Sequence, residues 1–174
     1  MANSKKSKYL KNGSFYLGAA LLVGLILFFS SSQTYEEQSQ VGLLSKLLSG
    51  EPFKERLSQI SFMYGGSPVS IEASGYAKFV EFFIRKAAHF MSFFLLSGAL
   101  FLGLRPRLKN LMLTGVVSWL SATGYAALDE CHQMITGGRS PMFQDVILDS
   151  IGAATAGIIC ILVFTISTSR KKKS

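Results

Sequence analysis

Residues 129 to 152 read DECHQMITGGRSPMFQDVILDSIG and lie between two strongly apolar segments of the chain. Asp149 falls within the second of these segments. A charged side chain inside a membrane span costs about 3 kcal/mol on insertion scales, so it is usually paired with another polar group. The stretch therefore predicts a polar site within a helical membrane protein. Its candidate members are Asp129, Glu130, Gln133, Arg139, Asp145 and Asp149.

The composition supports a membrane protein. The 174 residues are 49% hydrophobic and 16% charged, and mean hydropathy is +0.34, whereas soluble domains carry about 25% charged residues. The apolar residues form four blocks, which predicts an all-α bundle of four transmembrane helices in one domain over residues 15–168. The predicted spans are 15–32, 79–104, 110–128 and 142–168.

The net charge is +8, and the basic residues are distributed as membrane topology requires. We therefore exclude nucleic acid as a partner. Basic clusters precede the first apolar block, separate the second from the third, and follow the fourth, as the positive-inside rule requires. We therefore expect a multi-pass protein of the plasma membrane with cytoplasmic basic tails at 1–14 and 169–174. The first block is interpreted as a retained signal anchor, although its length also suits a cleaved signal peptide.

Residues 33–77 are then expected outside the cytoplasm. Apolar residues recur at helical spacing over 41–48 and again over 53–64, but each run is too short to span. Short amphipathic helices lying on the outer leaflet are the preferred interpretation, and a lid packed over the bundle is the alternative.

The depths of the polar residues coincide. A helix rises about 1.5 Å per residue, so it crosses a hydrocarbon core of about 30 Å in about 20 residues. Counted from the basic ends, the second, third and fourth spans reach the opposite boundary near Arg85, Asp129 and Asp149. His89 lies about one turn deeper. One level is therefore predicted to hold Arg85, Lys86, Asp129, Glu130, Asp145 and Asp149.

The fourth span has a second pattern on one side. Steps of four, three and four residues place Asp145, Asp149, Gly152 and Ala156 on a common helix face. Small residues allow two membrane helices to approach closely. The polar face is therefore predicted to pack against protein. Asp129 and Gln133 would share a face if the third helix continues past its predicted end.

Three motifs resemble those of the VanZ-like membrane proteins, and the resemblance covers nearly the whole chain. They are SSQTYEEQS at 31–39, FIRKAAHF at 83–90 and DECHQMITGGRSPMFQDVILDSIGA at 129–153. The resemblance implies a VanZ-type fold and the following family motif residues: Arg85, Lys86, His89, Asp129, Glu130, Gln133, Arg139, Asp145, Asp149 and Gly152.

This sequence departs from the family pattern at two places. Met91, Ser92 and Phe93 follow His89–Phe90 where relatives often carry an acid, which removes one partner for His89. Gly137 also replaces a common proline before Gly138–Arg139. The family's namesake is associated with resistance to teicoplanin and related lipoglycopeptides, so the resemblance implies a role at the cell envelope.

The leading functional hypothesis is that an outward-facing site binds the anionic headgroup of a membrane lipid or a lipid-linked cell-wall precursor. Two glycines before Arg139 would let the loop approach a phosphate, which guanidinium groups bind in bidentate fashion. Arg85 and Lys86 would add positive charge. No cofactor pattern is present, and the sequence does not indicate an oligomeric state.

Three alternatives remain open. The protein could be a hydrolase or transferase acting on a lipid-linked phosphate or glycan, with Asp129, Glu130 and Asp149 as catalytic candidates and carboxylates able to hold Mg²⁺. The cluster could instead be a structural polar network that locks the helices together. Proton or ion coupling through His89 and Asp149 is ranked last, because no charged residue continues a path through the lower halves of the spans.

Overall fold

The computed structural model describes residues 12–136 and 142–173, with backbone alone for 171–173. Its elements run along the chain as eight helices and one hairpin within these ranges. They are α1 Ser14–Ser31, α2 Tyr35–Gln38, α3 Val41–Leu47, α4 Lys54–Leu57, β1 Phe62–Tyr64, β2 Ser67–Val69, α5 Ile71–Ser74, α6 Tyr76–Leu108, α7 Leu111–Thr136 and α8 Phe143–Lys173.

Four of these helices, α1, α6, α7 and α8, are long and apolar enough to cross a membrane. Large apolar side chains cover their outer surfaces: Leu22 is 59% exposed, Leu120 55% and Ile158 57%. Such surfaces suit contact with lipid, where no polar backbone group can be left unpaired. The chain is an all-α, multi-pass membrane protein with short helices between α1 and α6, as predicted.

The two ends of the bundle differ in charge. At one end, Arg107 Nη1 donates to the carbonyl of Asn12 at 2.6 Å, and Arg105 lies 5.8 Å from the Phe164 ring centre. We call this the basic end. All ten Asp and Glu side chains belong to the other half of the bundle or to the segment between α1 and α6. We call that end the acidic end.

Helix α6 is central and packs against the other three long helices, most extensively against α8. A Cβ atom at Gly152 would lie 2.5 Å from the Phe90 carbonyl oxygen, so the two backbones nearly touch. Ala153 and Ala156 are fully buried on the same face of α8. The predicted close approach through small residues is therefore present.

Helix α1 is fixed to α7 near the acidic end. The His132 ring stacks on Phe28 with 4.6 Å between ring centres, and its Nδ1 lies 2.8 Å from Ser31 Oγ. Thr136 Oγ1 also donates to the Ser31 carbonyl at 3.1 Å. These contacts lie beyond residue 128, where the third span was predicted to end. Two further helical turns follow, because residues 129–136 have packing partners on α1 and at the site.

The other helix ends also differ from the prediction. Helix α6 continues through Pro106, which lies in its final turn, and Lys109 ends it with a left-handed backbone at φ 54°. A proline so close to the helix end interrupts little of the hydrogen-bond ladder. Helix α8 likewise extends past 168, to Lys173.

The connecting segment, residues 32–75, lies against the acidic end of α6. A capping box starts α2: Thr34 N donates to Glu37 Oε2 at 2.8 Å, and Glu37 N donates to Thr34 Oγ1. The helix expected over 53–64 is wrong after Leu57, because Phe62–Tyr64 pairs with Ser67–Val69 as an antiparallel hairpin. Gly65 and Gly66 both have positive φ, which favours a hairpin turn.

Candidate functional site

A cavity of about 430 Å³ lies at the acidic end, enclosed by α6, α7, the start of α8 and the connecting segment. The connecting segment contributes Tyr35, Tyr64 and the residues around the hairpin turn, so it covers the bundle as the lid interpretation proposed. Six of the residues selected from the sequence line the cavity. They are Arg85, Lys86, His89, Glu130, Gln133 and Asp145.

Two selected residues lie outside the cavity lining, and a third is not described by the structure. Asp129 and Asp149 are 5% and 1% exposed and lie behind the cavity wall. Each has one buried carboxylate oxygen, Oδ1, without a hydrogen-bond partner in the described part of the chain. Arg139 lies outside the residues that the structure describes.

Lys86 and Asp145 form the closest ion pair of the site. Lys86 Nζ lies 2.5 Å from Asp145 Oδ1, and both side chains are mostly buried. The Tyr64 hydroxyl donates to the same oxygen at 2.5 Å, while Lys86 also lies 4.7 Å from the Tyr64 ring centre. Burial, followed by the neighbouring Asp145 carboxylate, raises the pKa of Tyr64. Tyr64 therefore stays protonated and ties the hairpin to α8.

Asp149 provides an acidic partner for His89. His89 Nδ1 lies 3.4 Å from Asp149 Oδ2, across the contact between α6 and α8. The acid that many relatives carry just after the histidine is absent here, and the structure supplies one from another helix. This pairing depends on the rotation of both helices and has no local sequence signal.

The α7 residues form hydrogen bonds that also shape the wall. Gln133 Nε2 donates to Asp129 Oδ2 at 2.7 Å, which confirms that the third helix continues and that these two residues share a face. Glu130 Oε2 accepts the backbone N–H of Met142 at 2.9 Å. Glu130 therefore holds the residue that precedes α8.

Glu81 is a site residue that the sequence interpretation missed. It is 2% exposed and accepts hydrogen bonds from the Tyr35 hydroxyl at 3.1 Å and from the backbone N–H of Gln40. Burial and the Glu81 carboxylate raise the pKa of Tyr35. The sequence did contain a signal for Glu81, because Glu81, Arg85 and His89 recur every four residues along one face of α6.

Arg85 faces the connecting segment. Its guanidinium carbon lies 4.8 Å from the Tyr35 ring centre, and its Nη2 donates to Gln38 Oε1 at 3.3 Å. All ten Asp and Glu residues are described, yet none places a carboxylate oxygen within 4.0 Å of Arg85. Its buried Nη1 has no hydrogen-bond partner among residues 12–136 and 142–173.

The acids that line the cavity, in contrast, all have donors from the protein. Glu81 accepts from Tyr35 and Gln40, Glu130 from Met142, and Asp145 from Tyr64 and Lys86. The formal side-chain charges in the lining balance. Each lining acid accepts a hydrogen bond from the protein, whereas the lining cations Arg85 and Lys78 have no carboxylate oxygen within 4.0 Å. No three His, Cys, Asp or Glu side chains within the described ranges lie close enough together to hold a metal ion.

A family model described as VanZ/LLP1 matches residues 15–165. The chain belongs to the VanZ/LLP1 family. The match extends from the first membrane-spanning helix into the fourth and includes every motif on which the resemblance was based. Comparisons with curated proteins and with solved structures gave no significant match.

In this VanZ/LLP1 protein, motif residues that lie far apart in the sequence meet at the acidic end. Lys86 of the RKxxH motif contacts Asp145, and His89 of the same motif contacts Asp149. Gly152 lets α8 approach α6 closely enough for these contacts. The motifs therefore mark one three-dimensional cluster.

Proposed function

We propose that this envelope membrane protein binds an anionic headgroup, from a membrane lipid or a lipid-linked cell-wall precursor, in the cavity at its acidic end. By doing so it would lower susceptibility to teicoplanin and related lipoglycopeptides. The main support for this proposal is that Arg85, a half-buried cation, lines the cavity and has no carboxylate partner. The lining acids already accept hydrogen bonds from the protein.

The chemistry of Arg85 favours a phosphate-type ligand. A buried donor without an acceptor costs about 1–3 kcal/mol, which an incoming oxygen would relieve. Guanidinium presents two N–H groups in a plane that matches the spacing of phosphate oxygens. The Tyr35 ring supports the guanidinium from one face at 4.8 Å. A small rotation of the side chain would bring its free donor toward the cavity.

The surroundings of the cavity suit an amphiphile. Phe79, Phe82 and Val69 contribute apolar lining. Phe83 and Ile84, beside them on α6, are 40% and 50% exposed on the surface of a spanning helix. An acyl chain could therefore lie along α6 while its headgroup occupies the cavity.

The proposed location follows from the charge asymmetry of the bundle. The positive-inside rule places the basic end in the cytoplasm. The cavity would then face the outer leaflet of the plasma membrane, where glycopeptides meet lipid-linked precursors. Both termini would be cytoplasmic.

Lipid binding is tested with the purified protein by extracting and quantifying the lipids that remain bound. Arg85→Gln removes a lining cation that has no carboxylate partner. We expect about a tenfold or greater loss of the bound anionic lipid, as for one charge-assisted hydrogen bond. Arg56→Gln is the matched control, because Arg56 is exposed on the connecting segment and does not line the cavity. An unchanged lipid profile in Arg85→Gln would contradict the proposal.

The resistance role is tested separately in a teicoplanin-susceptible host. Expression of the unaltered protein should raise the inhibitory concentration of teicoplanin, and Arg85→Gln, Glu130→Gln and Asp149→Asn should each reduce that protection at equal membrane abundance. If the unaltered protein binds anionic lipid but gives no protection, the resistance role fails and the binding role stands.

A further inference from the structure

A second polar groove lies at the basic end, on the opposite side of the membrane from the cavity. It has a volume of about 530 Å³ and is bordered by side chains from α1, α6 and α8 and by the short turn after α6. Its lining residues are Tyr16, Leu102, Arg105, Pro106, Lys109 and Phe164. We propose that this groove binds the phosphodiester headgroup of an anionic phospholipid. The inference is independent of the proposed function.

The first support is the absence of any acidic side chain near the groove. The closest acid along α8 is Asp149, about four helical turns or about 22 Å from Phe164. Residues 1–11 and 137–141 and residue 174, outside the described ranges, contain no Asp or Glu in their sequence. The positive charge of this end must therefore be balanced by groups outside the side chains of the protein.

Two cations at this end have different surroundings. Arg107 is occupied: it donates to the carbonyls of Asn12 and Gly103 at 2.6 Å and to Ser14 Oγ at 3.2 Å. Arg105 donates from Nη1 to the Lys109 carbonyl at 2.7 Å, but its buried Nε has no partner among the described residues. Arg107 therefore holds α1 against α6, whereas Arg105 keeps donor capacity beside the groove.

The hydrogen bond to Lys109 also positions the second cation. Lys109 has φ 54° and ends α6, so its backbone turns back toward Arg105 while its side chain is exposed. Arg105 and Lys109 thus flank one groove as a partly buried guanidinium and an exposed ammonium. A phosphodiester needs such donors, and basic pockets between transmembrane helices are known sites for anionic lipid headgroups.

The apolar part of the groove favours a lipid over a free phosphate ion. Leu102 and Phe164 lie on spanning helices, toward the hydrocarbon from the cations, and the Phe164 ring is 5.8 Å from the Arg105 guanidinium. An acyl chain would cover these side chains, and the aromatic face would help hold the guanidinium in place. The Tyr16 ring lines the groove from α1 and gives the headgroup region a polar edge.

The test uses the full chain carrying Arg85→Gln, which weakens any binding in the cavity at the acidic end. The protein is reconstituted in phosphatidylcholine bilayers containing a small fraction of phosphatidylglycerol, and the phosphatidylglycerol retained on extraction is counted by native mass spectrometry. We expect one retained molecule per chain. Adding Arg105→Gln should reduce its occupancy about tenfold, as for one charge-assisted hydrogen bond.

Arg170→Gln is the matched control, because it removes the same charge from the same end at an exposed position outside the groove. It should leave the retained lipid nearly unchanged. Lys109→Gln is a second variant, for use if Arg105→Gln does not fold, because the Lys109 side chain is exposed. We expect the loss of lipid occupancy in Lys109→Gln to be smaller than the tenfold loss expected for Arg105→Gln. Excess inorganic phosphate should not displace the lipid.

Several results would overturn the inference. Equal loss in Arg105→Gln and Arg170→Gln would indicate diffuse attraction to anionic lipid with no defined site. Displacement by inorganic phosphate would indicate a site for the free ion. Full retention in folded Arg105→Gln, or in Lys109→Gln if Arg105→Gln does not fold, would remove the groove as the binding site.

Discussion

Arg85 and Lys86 are adjacent in the sequence, yet their side chains have different partners. Lys86 contacts the Asp145 carboxylate on α8, and Arg85 contacts the Tyr35 ring on the connecting segment. Adjacent helical residues point about 100° apart, so one reaches the acids and the other does not. This difference leaves Arg85, like Lys78, as a lining cation without a carboxylate partner.

The Lys86–Asp145 pair provides a prediction at the residue scale. Lys86→Met should lower the free energy of unfolding by about 1.5–3 kcal/mol, because it leaves Asp145 mostly buried and dependent on Tyr64 alone. The measurement is unfolding of the purified protein in detergent. The double variant Lys86→Met with Asp145→Asn should recover part of this loss, since it removes the unpaired charge as well.

A double-mutant cycle provides the control for this prediction. If the losses from Lys86→Met and Asp145→Asn simply add, the pair is not coupled, and the ion pair contributes no more than two independent polar residues.

At the scale of elements, the contact between α6 and α8 depends on one glycine. Gly152 lies so close to the Phe90 carbonyl that even a methyl group must displace a backbone. This contact brings Asp145 and Asp149 of α8 to Lys86 and His89 of α6. The close packing of α6 and α8 at Gly152 therefore also brings the charged side chains of the two helices together.

We predict that Gly152→Ala destabilises the folded protein. The matched control is Gly124→Ala on α7, where no atom lies within 4 Å of the added Cβ. Alanine favours a helix over glycine by about 1 kcal/mol, so the control should be neutral or stabilising. Thermal unfolding in detergent measures both. Equal stability of the two variants would show that α6 and α8 can separate without cost.

The Tyr64 hydroxyl makes a polar contact between the hairpin and the bundle. The Tyr64 hydroxyl donates to Asp145, and burial raises its pKa above the ordinary value of 10.0. A group whose pKa is raised in the folded state contributes its stability below the ordinary pKa and loses it as pH rises further. The contribution of Tyr64 should therefore be constant at neutral pH and decline only above pH 10.

Tyr64→Phe tests this dependence. It should lower stability by about 1.5–3 kcal/mol at neutral pH, the usual contribution of one hydrogen bond to a charged group. The difference between the unaltered protein and the variant should shrink at about pH 11, where an ordinary tyrosine is ionised. A difference that is constant from neutral to alkaline pH would contradict the assignment.

At the scale of the whole molecule, the separation of charge predicts orientation. The acidic end should face outward, and Cys131, which is exposed on α7 near that end, gives a natural probe. A membrane-impermeant thiol reagent should label the unaltered protein in intact cells and should not label Cys131→Ser. Ser169→Cys at the basic end, combined with Cys131→Ser, should react only after permeabilisation.

The opposite labelling pattern would place the cavity in the cytoplasm. The proposed role against extracellular glycopeptides would then fail, although the family membership and the four-helix bundle would be unaffected.

The sequence alone determined the number of spans, their order and the common level of the polar residues. These properties are local, because apolar length, helical rise and the position of basic clusters along the chain depend on no distant contact. The motif residues also marked the correct helices. Lys86, Asp129 and Asp145, for example, were assigned to one level by counting residues.

Only the tertiary structure decided which groups meet. The rotation of α6 and α8 about their axes places Lys86 in contact with Asp145 and His89 in contact with Asp149. The hairpin and Glu81 close the cavity through contacts between residues more than forty positions apart. Helical spacing cannot supply such pairings, because the free energy that selects them comes from packing between elements and exists only once the elements are assembled.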